Sequence, residues 1–226
     1  MANGASKKTT KKQNRRKGPE ISVMDYTKTH YEEKELQKIE ECFPFKGHPT
    51  LTWVNIDGLG DKTVIEKVGA EFGIHPLVVE DIMTIKQRPK IKDFESYLFV
   101  TFKMLRYHAE KREVFAEQIS LVVGENFLIS FQEKRGDDLV AVREALKNPD
   151  ALVRKSGTDH LMHAILDTVV DSYFEVLEQL GEGVEKLENE LVHNPNYATL
   201  QKINRLKKEI LLVRKYIWPM REVVNI

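Results

Sequence analysis

The stretch TDHLMHAILDTVVDSYFEVLEQLGEGVEKLENELVH, residues 158–193, decides the architecture. Ile165, Val169, Tyr173, Leu177, Leu180, Val184, Leu187 and Leu191 recur every three or four residues, which lines them along one side of a helix. Asp167, Asp171, Glu175, Glu178, Glu182 and Glu185 follow the same rhythm on another side, and Lys186 is the only lysine among them. Thr158 is expected to cap the helix start, with Asp159 in the first turn. Asn194-Pro195-Asn196 ends it, because proline cannot continue the hydrogen-bond ladder. At about 1.5 Å per residue such a helix is roughly 50 Å long. That is longer than most small domains are wide, so part of it is expected to project.

Residues from about 197 to 226 repeat the apolar rhythm at Ile203, Leu206, Ile210, Val213, Ile217, Met220 and Val224. Here the charges are mostly reversed: Lys202, Arg205, Lys207, Lys208, Arg214, Lys215 and Arg221 stand against Glu209 and Glu222. A short turn between an acidic and a basic helix predicts an antiparallel hairpin. Within the second helix, Pro219 offers no N–H to the Lys215 carbonyl, so a kink is expected beside Trp218.

Residues 20–150 carry a different pattern, one of alternating strands and helices. Strands are expected over 18–27, 51–57, 95–108, 112–124 and 126–133. The last three are rich in β-branched and aromatic residues, and Glu125-Asn126 links the final pair tightly, so they form a meander. Helices are expected over 34–43, over 61–73 with Asp61 as cap, over 75–84 with Pro76 in the first turn, and over 137–147. The predicted fold is therefore α/β, a mixed sheet flanked by helices (α/β/α), followed by a long antiparallel helical hairpin over 151–226.

Basic and acidic residues balance at 35 each, but the balance hides a local bias. Lys7, Lys8, Lys11, Lys12, Arg15, Arg16 and Lys17 are uncompensated in residues 1–19, which read as a disordered, solvated tail. No aromatic residue interleaves with them to stack on bases, so nucleic acid is not expected as a partner. The single cysteine, Cys42, permits no internal disulfide and suits a reducing compartment. No run of about 20 apolar residues and no secretory signal is present, so the chain is expected to be soluble.

The chemistry-bearing candidates are few. Adjacent Glu80 and Asp81 supply hard oxygen donors of the kind Mg²⁺ or Ca²⁺ takes, but their directions differ by about 100° on a helix and need not share a ligand. His160, His163 and Asp167 lie on one side of the acidic helix, a spacing that suits Zn²⁺ or Co²⁺. No further His or Cys nearby completes a tetrahedral set, and histidines packed on the α/β layer are the simpler reading. The motifs Gly-x-Ser-x-Gly, His-Glu-x-x-His and Cys-x-x-Cys and a phosphate-binding Gly-rich loop are missing, and nothing argues for an enzyme. Glu40 and Glu41 beside Cys42 disfavour a reactive thiolate.

Five strings, in order, resemble the cytosolic part of the CorA family of divalent-cation channels: TWVNIDG (52–58), FGIHPLVVEDIMTIKQRPK (72–90), ISLVVGENFLISFQEKRGD (119–137), DTVVDSYFEVLE (167–178) and RKYIWPMREV (214–223). The resemblance implies an α/β domain, a helical hairpin, then a long stalk helix leading to two membrane spans with a Gly-Met-Asn signature. The sequence stops at Ile226, before those parts, so it is expected to be the cytosolic portion, lying at the cytoplasmic face of the cell membrane and not conducting ions itself. The resemblance further implies a homopentamer in which Mg²⁺ between subunits holds the pore shut. Asp81 would be the main regulatory ligand, with Glu80 and Asp167 at a second site. The partner acid of the main site lies on the stalk helix in such channels, so binding by residues 1–226 alone is expected to be weak. Co²⁺ or Ni²⁺ can replace Mg²⁺ at such oxygen sites. A Zn²⁺-transporting relative, and a soluble adaptor whose charged hairpin docks a partner helix, are the competing readings.

Overall fold

The computed structural model describes residues 18–136 and 138–225. The expectations for the tail up to residue 17, and for Asp137, fall outside them. Seven strands form one sheet: β1 (Glu20–Tyr26), β2 (Tyr31–Leu36), β3 (Leu51–Asp57), β4 (Lys90–Phe94), β5 (Tyr97–His108), β6 (Glu113–Val123) and β7 (Phe127–Gln132). Their order across the sheet is β2-β1-β3-β7-β6-β5-β4. Only β3 and β7 run parallel, and the other neighbours are antiparallel, so the sheet is mixed as expected. The β6–β7 link is tight, with Gly124 N–H donating to the Phe127 carbonyl at 2.8 Å.

Alternation along the strands sorts their side chains onto two faces. Val23, Val54, Ile56, Phe99, Val122, Ile129 and Phe131 point to one core. That core is covered by a 3-10 helix (Ile39–Gly47), by α1 (Lys62–Phe72) and by α2 (Pro76–Met83). Met24, Tyr26, Trp53, Val100, Phe102, Ile119, Leu121 and Leu128 point to the other core. Over it lie α3 (Val140–Lys147), the short α4 (Leu152–Lys155) and the first half of α5 (Thr158–His193). Parts of α6 (Tyr197–Ile217) and α7 (Met220–Val224) close that core.

The row of α5 that meets the sheet is Leu161, Ile165, Val169, Tyr173, Val176 and Leu180. It ends there. Leu177 turns away from that row at 47 % exposed, and beyond Leu180 the side chains of Val184 and Leu191 stand 44 % and 46 % exposed, on the projecting half that packs against α6. The helix break at Trp218-Pro219, between α6 and α7, is where the proline places it.

Four local expectations are corrected. Residues 34–43 are not one helix: Lys34–Leu36 complete β2, paired with Val23–Ile21, and the rest enters the 3-10 helix. Charged edge strands are common because charge deters further strand pairing, so a charge-rich stretch need not be helical. Pro44 lies inside the 3-10 helix, where it withholds a donor from any longer helix. A second unexpected strand, β4, spans residues read only as a connection. The α5 cap position is Gly157 rather than Thr158, whose hydroxyl donates instead to the Gly124 carbonyl at 2.8 Å and ties α5 to the β6–β7 turn. The helix expected over 137–147 begins at Val140, with Leu139 at the cap position.

Candidate metal centre

Helix α2 follows from its own sequence. Pro76 fits the first turn, where its missing N–H costs nothing. His75 precedes it, its Nδ1 accepting from Leu77 N–H at 3.2 Å and its own N–H donating to the Tyr97 hydroxyl at 2.9 Å. Val78 and Ile82 bury fully against the sheet. Asp81 comes three residues after Val78 and one before Ile82, so it lies at the rim of the buried side, with its side chain 14 % exposed. Glu80 points about a quarter-turn away and is exposed.

Both Asp81 oxygens are held by cations of the same chain. Lys90 Nζ lies 2.8 Å from Oδ1 and Lys92 Nζ lies 3.1 Å from Oδ2. Gln87 adds a hydrogen bond from Nε2 to Oδ1 at 3.1 Å. Lys90 and Lys92 share a face of β4 because they are two residues apart, while Ile91 between them packs into the opposite core. Burial pushes the Asp81 carboxyl upward, and the hydrogen bonds and charges of Lys90 and Lys92 outweigh it, so the net displacement is downward.

The C-terminal end of α2 is pinned from below. Gln118 donates from Nε2 to the Ile82 carbonyl at 3.1 Å and accepts from Lys103 Nζ at 3.2 Å. Lys103, 2 % exposed, also donates to the Ile85 carbonyl and faces Glu133 at 3.9 Å. Burial depresses its pKa, opposed by Glu133 and Glu117. The Lys103 carbonyl accepts from Tyr173 of α5 at 2.6 Å. One hydrogen-bonded string thus runs from α2, through β6 and β5, to α5.

Asp167 sits on α5, over the other face of the sheet. It is exposed and paired with His163 Nδ1 at 3.1 Å, whereas His160 pairs with Asp159 at 3.2 Å. The structure therefore joins His163 to Asp167 but not His160, and it keeps Asp81 and Asp167 on opposite layers. Among the described residues no group of three or more His, Cys, Asp or Glu could hold a metal ion. The donor chemistry at Asp81 nevertheless suits Mg²⁺, which is held through one or two carboxylates and keeps its other positions as water. Two cationic groups already converge on that carboxylate.

Reading the sequence singled out Asp81 but missed Lys90, Lys92, Lys103 and Gln118. Signals were present: lysines two apart in KIKDF, and a lone Lys and a lone Gln inside the apolar runs YLFVTFKML and AEQISLVV.

The acidic row of α5 pairs sparsely. Glu182 meets Lys186 within the helix at 2.9 Å, and Glu190 meets Lys202 across the hairpin at 2.8 Å. Among the described residues, no helix is long and apolar enough to cross a membrane.

The chain is 39 % identical over 206 residues to the cobalt/magnesium transport protein CorA of Thermotoga maritima, covering 91 % of this chain and 59 % of that protein. The soluble domain of CorA from Methanocaldococcus jannaschii shares the fold at a TM-score of 0.71 and 17 % identity, over 91 % of this chain and 77 % of that one. The complete CorA magnesium transporter of the same organism also matches at 0.71, and there this chain covers 62 % of the partner's length. Residues 49–226 match the model of the CorA-like Mg²⁺ transporter proteins, and the chain belongs to that family.

Proposed function

We propose that this chain is the cytoplasmic, ion-sensing part of a homopentameric Mg²⁺/Co²⁺ channel. Carboxylates of neighbouring copies share divalent cations that hold the pore shut: Asp81 at the main site, Glu80 with Asp167 at a second. Family membership supports the transport reading. The observation that supports the intersubunit reading is that Glu80, on α2, and Asp167, on α5, lie over opposite faces of one sheet. A single copy cannot bring both to one region, whereas copies arranged in a ring can.

The residues then work by charge. Facing carboxylates of two copies repel, and the repulsion loosens the ring. A divalent cation between them supplies the positive charge that turns repulsion into a bridge. Low cytosolic Mg²⁺ would favour the loosened, open arrangement of a two-state equilibrium.

The test is limited proteolysis of the full-length protein in membranes, with and without millimolar Mg²⁺, on wild type, Asp81→Asn and Asp167→Asn. Mg²⁺ is expected to protect the wild type, and each substitution to reduce the protection. Protection untouched by both substitutions would remove these residues from the sensor. Protection by Zn²⁺ and not by Mg²⁺ would favour a zinc-handling relative instead.

A further inference from the structure

Asp81 carries an unusual load for a residue read as a metal ligand: each of its oxygens already has a lysine ammonium on it. We infer that Lys90 and Lys92 are tethered competitors of the divalent cation at Asp81, occupying the carboxylate when the ion is absent and released from it when the ion arrives. This rests on Asp81 being a sensor ligand, as proposed above.

The geometry makes the two occupations exclusive. An ion on either oxygen of Asp81 would lie within a few ångströms of two ammonium groups, and like charges at that range repel strongly in a partly buried site. The exchange conserves charge, since two single positive charges leave as one double charge enters. It is also mechanically cheap. The strand β4 is the outermost of the sheet, paired only with β5, so no further strand fixes its lysines, and among the described residues the Lys90 ammonium donates, besides Asp81, only to Gln87 Oε1, at 3.1 Å. The Lys90 and Lys92 side chains are 25 % and 43 % exposed, and their long stems can swing into water. Helix α2, by contrast, is pinned by Gln118, so the carboxylate stays in place while the lysines move.

The consequence is a raised ion threshold. A carboxylate with no resident cation would hold a divalent ion at lower concentration and would sense poorly where the ion is abundant. Competition moves the midpoint upward and keeps Asp81 neutralised, rather than stranded, in the ion-free state. The plainer account of these lysines is that they protect a sheet edge from pairing with other strands. Edge protection does not require both ammonium groups to converge on one carboxylate, and it predicts no change in ion response.

Protease protection of the full-length protein in lipid, titrated with Mg²⁺, separates the accounts. The variant Lys90→Met/Lys92→Met is expected to reach half-protection at a Mg²⁺ concentration about tenfold lower than wild type, a change worth about 1.4 kcal/mol. Lys92→Met alone should give an intermediate shift, and it covers the case in which the double variant does not fold. Lys90→Arg/Lys92→Arg keeps the charges and should stay within about twofold of wild type. Asp81→Asn runs in parallel. If Asp81→Asn abolishes the response while the methionine variants keep or raise the wild-type midpoint, the lysines are not competitors and the sensor reading survives. If Asp81→Asn responds as wild type does, the sensor reading itself fails and takes this inference with it.

Discussion

The two faces of the sheet are covered in different ways, and each carries one candidate carboxylate. Asp167 rides on a 36-residue helix held by an apolar row running from Leu161 to Leu180. Asp81 rides on an eight-residue helix that buries two side chains fully. A helix that short is marginal on its own, since little packing offsets the cost of nucleating it. It is positioned by individual polar contacts: Tyr97 at its start, Gln118 and Lys103 at its end, and Lys90 and Lys92 at its functional side chain. One helix is thus specified by a repeated pattern and the other by single residues from distant strands.

The largest test of this contrast lies on the long helix. Ile165 is fully buried in the core beneath α5, whereas Leu191, in the projecting half, is 46 % exposed. Ile165→Ala is expected to destabilise the fold by about 2–5 kcal/mol. Leu191→Ala, the same class of truncation on the same helix, should cost no more than about 0.5 kcal/mol. Urea unfolding followed by circular dichroism measures both. Equal losses would mean that the projecting half is as tightly packed as the base, and the contrast would collapse.

The same contrast explains what could be read in advance. The long helix, the acidic-to-basic hairpin, the cap at Asp61 and the β5–β7 meander each rest on residues within one element or one turn. The Asp61 side chain does accept from Thr63 N–H at 3.0 Å. The strands β2 and β4 were not legible, because YEEKEL and KIKDF are short and rich in charge, and their identity comes from the strands beside them. The candidate centre was legible only in part. An adjacent Glu-Asp pair is a common sequence, and its choice came from family resemblance rather than from spacing. What sets the chemistry of Asp81 lies nine and eleven residues away, and becomes adjacent only once β4 has formed at the sheet edge. The hydrogen bond from Gln118 to the Ile82 carbonyl needs the whole sheet in place.

A test of intermediate size removes one of those single-residue supports. Gln118 is fully buried and joins the end of α2 to Lys103. Gln118→Leu preserves much of the volume but leaves the Ile82 carbonyl and the Lys103 ammonium without this partner. A loss of about 1–3 kcal/mol is expected, the usual cost of orphaned buried polar groups. Hydrogen exchange should show the opening concentrated in the amides of α2, with those of the buried half of α5 changed far less. Uniform loss of protection in both layers would show that α2 is held by the general core and not by its own contacts.

The smallest effect is a slope with pH, measured without divalent cations. The folded-state pKa of Asp81 lies below the ordinary carboxylate value, because Lys90 and Lys92 outweigh the effect of burial. Between the folded and unfolded pKa values the unfolded chain binds more protons, so stability rises with pH there. The contribution is fully present above the ordinary value of about 4, and it is lost as pH falls through the depressed folded value. Asp81→Asn should remove this acid-side loss from the stability curve. Lys90→Met/Lys92→Met should remove it too, since the cause of the depression is gone while burial remains. If the methionine variant keeps the wild-type acid slope, the lysines do not govern the charge on Asp81, and the two layers differ less in electrostatics than their geometry implies.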